Sequence, residues 1–204
     1  MRKLSLTLIL FLLIVSLVGC NKATQTEERN ILMTGGGMSD INLDLSTIEK
    51  IKHESDLIIM GEAIDVKDAK YSEVDAIFIS SAKIKVEKTF LGDAKKFVKC
   101  QMIGGYIPYR EYIKSFSKDE EEEKLAWSKQ FSKKDKEIGY IVQYLDNSNL
   151  PEQGKKYILF LKKGQDGQYD TIGTYHGIME IDGEYINHTQ NGKEYMLADM
   201  LEQL

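Results

Sequence analysis

The chain has 204 residues, 42% of them hydrophobic, and a net charge of −5. That is enough chain to bury one good core without staples, and too acidic to gather nucleic acid or anionic lipid through its overall charge. Two cysteines, Cys20 and Cys100, are too few for a disulfide framework, and no internal repeat is visible.

Met1 to Cys20 reads as an export leader. Arg2 and Lys3 form a basic head, an apolar run covers Leu8 to Val15, and the stretch closes on Leu17-Val18-Gly19-Cys20. The apolar run is shorter than the roughly 20 residues that a membrane-crossing helix needs. Leu-x-Gly-Cys resembles the lipobox of bacterial lipoproteins, which implies cleavage before Cys20 and acylation of its thiol. The expected organisation is a signal peptide over 1–19, a lipidated N-terminus with a flexible tether over 20–45, and one globular β-barrel-like domain over 46–204. The membrane, reached through the N-terminal lipid on the extracytoplasmic face, is then the first partner. Loss of Arg2 and Lys3 with the leader takes the charge to −7. With Cys20 acylated, Cys100 has no partner for an intrachain disulfide and reads as a small core residue.

Asn21 to Asp40 is polar, contains Gly35-Gly36-Gly37 and shows neither helical nor strand period, as a tether would. Ser46 with Glu49 fits a capping box, and Ile48 and Ile51 share a helical face. Leu57–Val66 reads as a buried strand with Gly61 at a bulge. The clearest alternation lies in Ala76–Phe90. Phe78, Ala82, Ile84 and Val86 fall on one face and Lys83, Lys85 and Glu87 on the other, while Ile77 and Ile79 suggest an end covered on both sides. Leu91-Gly92-Asp93 turns into a third strand, Phe97–Ile103, which ends at Gly104-Gly105.

Ser117–Phe131 reads as a surface helix inserted between strands, with its acidic run Asp119–Glu123 in the first turn. Strand signals resume at Ile138–Leu145, and Tyr157–Leu161 is a fully buried strand. Asp166-Gly167, Asp182-Gly183 and Asn191-Gly192 are three tight-turn dipeptides that announce hairpins. Met196, Leu197, Met200, Leu201 and Leu204 close the chain as an amphipathic helix. The expected fold is therefore mainly β with peripheral helices, a small barrel or sandwich with an inserted helix and a C-terminal helix.

The order of these signals carries a resemblance over most of residues 46–186. A short helix leads into Asp56–Ala63, a long alternating strand ends in Phe90-Leu91-Gly92-Asp93, and Gly154–Leu161 and Gly177–Gly183 follow. This resembles uncharacterised lipoproteins of Gram-positive bacteria and is distantly similar to the OB-type barrel of netrin-like domains and tissue inhibitors of metalloproteinases, which implies a small OB-like antiparallel barrel with an inserted helix and a C-terminal helix. Those inhibitors reach zinc with a free amino-terminal cysteine and are stapled by disulfides. Neither property transfers here, so no inhibitory residue is implied.

No catalytic residue, cofactor or metal site is expected. His53, His176 and His188 lack ligand spacing, and the latter two read as exposed residues flanking a hairpin. No Gly-x-Ser-x-Gly or Ser-x-x-Lys sits at a strand-to-helix turn. Tyr106, Tyr109, Arg110 and Tyr112 form the candidate ligand-binding group, since Tyr and Arg dominate binding hot spots. The alternative at these positions is that the tyrosines cover the barrel end. The expected function is a non-catalytic, lipid-anchored binding module for a protein or envelope polymer, without nucleic acid. A structural envelope role is the alternative, and a metal-dependent enzyme a more distant one.

Overall fold

Five strands close into a ring in the computed structural model, four of them of alternating or continuous apolar character. It describes residues 29–37, 44–72, 77–116, 126, 128–145, 150–164, 167–173, 176–188 and 193–204. The ring strands are β2 (Leu57–Ser72), β3 (Ile77–Leu91), β4 (Phe97–Ile103), β7 (Lys156–Lys163) and β8 (Tyr169–Thr171). They run β2-β3-β4-β8-β7 and back to β2, the strand order of an OB-type barrel. Four of the five joints are antiparallel. The exception is β4–β8, which is parallel, a departure from a wholly antiparallel barrel. That joint is short, Cys100 facing Tyr169 and Gln101 facing Asp170.

The period-two pattern decides what fills the ring. Leu57, Ile59 and Ala63 point inward from β2, Ala82 and Ile84 from β3, and Val98, Cys100 and Met102 from β4. Tyr157, Leu159 and Leu161 complete the filling from β7. The intervening residues of the same two strands, Ile58, Ile158 and Phe160, face a second core outside the ring. β2 and β7 therefore read as continuous apolar runs because both of their faces are covered.

Around Phe160 the second edge of β7 divides. Lys156–Leu159 pair with β9 (Ile178–Asp182), whereas Leu161–Lys163 pair with β8. The backbone of Phe160 itself holds the connecting segment, donating to Gly177 O at 2.9 Å and accepting from Ile172 N at 3.1 Å. β10 (Tyr185–His188) and β11 (Lys193–Met196) extend the sheet beyond β9, with the Asp182-Gly183 turn where its dipeptide announced it. Two helices cover this layer. They are α1 (Ile48–Glu54), which buries Ile51, and α4 (Leu197–Gln203), which buries Met200. Lys52 of α1 donates to the Leu204 carbonyl at 2.8 Å, a cation at a helix C-terminus.

The cap of α1 lies one residue further on than expected. Thr47 accepts from Lys50 N, while Ser46 is drawn to the Asp44 carboxylate. Hydrogen bonds from the Lys50 and Ser46 side chains hold the Asp44 carboxyl down at about 2, and Lys50 also forms an ion pair with it.

A smaller sheet lies against the far end of the β2–β3 hairpin, in the order β1 (Asn30–Gly37), β6 (Gly139–Leu145), β5 (Gly105–Pro108). β1 corrects the reading of that stretch as tether. Residues 30–37, glycines included, run parallel to β6 as an edge strand. Its regularity comes from a partner distant in sequence, so it leaves no local period to read. Between the two sheets lies a third core of Ala69, Phe78, Ile107, Tyr109, Tyr112, Ile113 and Ile141. The Gln143 side chain ties the layers by accepting from Phe78 N at 2.7 Å.

Two short helices flank this sheet, α2 (Tyr109–Lys114) and α3 (Lys133–Ile138). α3 opens on a reciprocal cap between Ser132 and Asp135. Most of the expected helix Ser117–Phe131, including Trp127, lies outside the described residues; within it, Ser128–Gln130 form a 3-10 turn.

Candidate functional surface

The fold divides the tyrosine and arginine group between core and surface. Tyr109 and Tyr112 sit on the first turns of α2 and turn inward, 5% and 8% exposed. The Tyr112 ring packs edge-on against Phe78 and Phe116, at 5.6 and 4.8 Å between centroids. Burial, followed by the neighbouring Tyr71, pushes its hydroxyl pKa above the usual phenol value. Among the described residues, the buried Tyr109 hydroxyl has no hydrogen-bond partner. These two residues hold the barrel end against the small sheet and do not offer a shared face to a ligand.

Tyr106 and Arg110 remain outside. Tyr106 is half-buried, with the Arg29 guanidinium 4.3 Å above its ring; the same guanidinium lies 5.1 Å from the Tyr140 ring and 3.0 Å from Asp68. Arg29 is thus engaged by two rings and by a carboxylate. Arg110 is exposed and reaches Glu137 of α3 at 3.5 Å. The structure does not bring the four residues together as one surface.

A different surface emerges on the outer face of β3 and β4. The alternation that buries Ala82, Ile84, Val98 and Cys100 sends Lys83, Lys85, Phe97 and Lys99 outward, and the strand register pairs Lys83 with Lys99 and Lys85 with Phe97. Phe97 is 40% exposed. Lys83 and Lys96 both place their ammonium groups over its ring, at 4.7 and 5.6 Å. Lys83 does so although Asp65 is its cross-strand neighbour on β2; Asp65 pairs with Lys67 instead, at 2.9 Å. Among the described residues, Lys83, Lys85, Lys96 and Lys99 form no ion pair. A ring that gathers two ammoniums, flanked by two more, makes a locally cationic face on an acidic protein. The alternation of Lys83 and Lys85 was legible as a solvent face, but their approach to Phe97 depends on the β3–β4 register.

Other polar groups are accounted for by structure. Lys155 lies 3.0 Å from Glu180 and 3.1 Å from Glu152. Desolvation pulls its pKa down, but its hydrogen bonds to Glu180 and Glu152 outweigh this and hold it above the ordinary lysine value, so it is a charged clamp and a poor nucleophile. Beside it, the Tyr157 hydroxyl accepts from Glu152 N at 2.9 Å, and burial pushes that phenol up to about 12. Cys100 is 1% exposed, and burial raises its thiol to about 12, as suits a core residue.

His176 corrects the reading of two exposed hairpin histidines. It is 5% exposed, with Nδ1 3.1 Å from the Gly173 carbonyl, beside Ile172 and Gly177, which the Phe160 backbone holds. His53 is exposed, and the His188 side chain lies outside the described residues. Among the described residues, no group of three or more His, Cys, Asp or Glu could hold a metal ion. No family model matches the chain, and neither a curated protein nor a solved structure is found to be similar to it.

Proposed function

We propose that this chain is a lipid-anchored, non-catalytic binding module on the extracytoplasmic face of the cell membrane. In this reading the OB-type barrel is a rigid platform and the β3–β4 face is its ligand surface. The observation that carries the reading is the cluster of Lys83, Lys85, Lys96 and Lys99 around the exposed Phe97, without ion-pair partners among the described residues. Four ammoniums on a firm sheet suit a polymer with repeated negative charges, and the ring edge adds apolar contact area. The ligand class is therefore an anionic envelope polymer. Leu17-Val18-Gly19-Cys20 supports the placement, since a lipid on Cys20 would keep the module beside that polymer.

Two measurements test the two halves of the reading. In whole cells, lipid label and membrane retention are expected to vanish together in the Cys20→Ala variant. Wild type that takes up no lipid, with a mutant that still sits in the membrane, would mean that residues 1–20 act as an uncleaved anchor. For the ligand, the full chain is mixed with cell-wall fragments before and after extraction of their phosphate polymers. Binding is expected only before extraction, to weaken with salt, and to fall at least tenfold in Lys83→Glu/Lys99→Glu, on the basis of about 1 kcal/mol or more per reversed contact. Equal binding by wild type and the double variant would remove the β3–β4 face from consideration.

A further inference from the structure

A second feature lies around the first residues of β1, where they meet α3. Asn30 begins β1 beside Gly139, and its side-chain amide donates to Asp135 of α3 at 3.4 Å. The lipobox cysteine is only nine residues before Arg29. Nine residues reach at most about 30 Å when fully extended, so an anchor at Cys20 keeps this end of the domain close to the bilayer.

The residues at that end have an unusual character for an acidic protein. α3 and the turn before it carry Lys129, Lys133, Lys134 and Lys136, and none of the four forms an ion pair among the described residues. The carboxylates between them are already engaged: Asp135 by Ser132 and Asn30, and Glu137 by Arg110. Lys134 and Ile138 stand one turn apart on α3. Ile138 is 52% exposed, and Ile31, one residue into β1, is 39% exposed. Cationic side chains interspersed with exposed aliphatic ones are what an anionic lipid surface accepts, with ammoniums at the headgroups and isoleucines at the acyl boundary.

We propose that this end of the domain, centred on Lys133, Lys134, Ile31 and Ile138, docks on an anionic lipid bilayer as a second contact beside the acylated Cys20. The inference rests on the lipid-anchored reading above. The overall negative charge opposes free recruitment, so the contact forms once the lipid has placed the domain at the surface. Docking there fixes which way the module faces, through the short link and α3 together.

The test uses the full, lipidated chain in vesicles of phosphatidylcholine, with or without phosphatidylglycerol. Ile138→Cys carries an environment-sensitive dye, and Tyr185→Cys, on β10 in the other layer, is the control; Cys100 is buried and Cys20 acylated, so neither competes for label. In vesicles containing phosphatidylglycerol, the dye at 138 is expected to shift to the blue and to be quenched by brominated lipid, while the dye at 185 is not. Adding Lys133→Gln and Lys134→Gln is expected to weaken docking about thirtyfold, at roughly 1 kcal/mol per lysine, with the protein still floating with the vesicles. Equal and low quenching at both positions overturns the docking. Quenching at 138 that persists without phosphatidylglycerol overturns its electrostatic basis. Wild type that fails to float brings down the lipid-anchored reading itself, and the docking with it.

Discussion

Replacing Phe160 by alanine is expected to destabilise the protein by about 3–5 kcal/mol, read as a lower midpoint in urea with little change in slope. Phe160 is fully buried in the core outside the barrel, and its backbone lies where β7 passes from β9 to β8. An alanine keeps those backbone bonds and removes the ring, leaving Ile58, Ile172 and Met179 around a cavity. Against a typical total of about 5–15 kcal/mol, a single loss of this size consumes a large fraction of the stability. A cost below about 1 kcal/mol would mean that the second core collapses freely around the gap and does not depend on that ring.

The second large effect is expected at Gly105, the first residue of β5. Its φ is +136°, and a Cβ there would lie 2.9 Å from the Cβ atoms of both Ala69 and Ser80. Those atoms belong to β2 and β3, so at this glycine the small sheet lies directly against the barrel. Gly105→Ala combines backbone strain with overpacking and is expected to cost about 2–5 kcal/mol. Gly183→Ala is the control. Its φ of +61° carries strain, but nothing lies within 4 Å of the added methyl, so only about 1 kcal/mol is expected. Equal losses at the two sites, measured by denaturant titration, would show that the close approach at Gly105 contributes nothing.

The barrel was legible because its strands carry their own pattern. The alternation through Phe78, Ala82 and Ile84 gave β3, and the unbroken apolar run of Tyr157–Leu161 announced a strand covered on both faces. The Asp182-Gly183 turn and the stripe of the last helix were equally local signals. Of the small sheet only β6 was legible, as the strand signal at Ile138–Leu145. β1 is an edge strand containing three glycines, and β5 has only four residues, so each is defined by its pairing with β6. The candidate site failed for a related reason. Tyr109 and Tyr112 have the composition of a binding surface, but once β1, β5 and β6 form a second layer, they are what fills the space beneath it. The face around Phe97 needed the register of β3 against β4, which composition does not contain.

The parallel pairing of β1 with β6 has a kinetic consequence. Asn30 and Asp135 touch across 105 residues of sequence, and a contact of that span forms slowly because so much chain must be ordered first. In a chain exported from its N-terminus, β1 emerges long before its partner strand. On the lipid-anchored reading, the segment next to Cys20 would then meet the acylating machinery as extended, unpaired chain, with β6 still to be delivered. The anchor would be attached before the domain exists, and folding would be completed at the membrane surface. On the same reading, β1 would stay an open strand edge until Gly139–Leu145 arrive, and the crowding of such chains during export would be the step at which aggregation threatens.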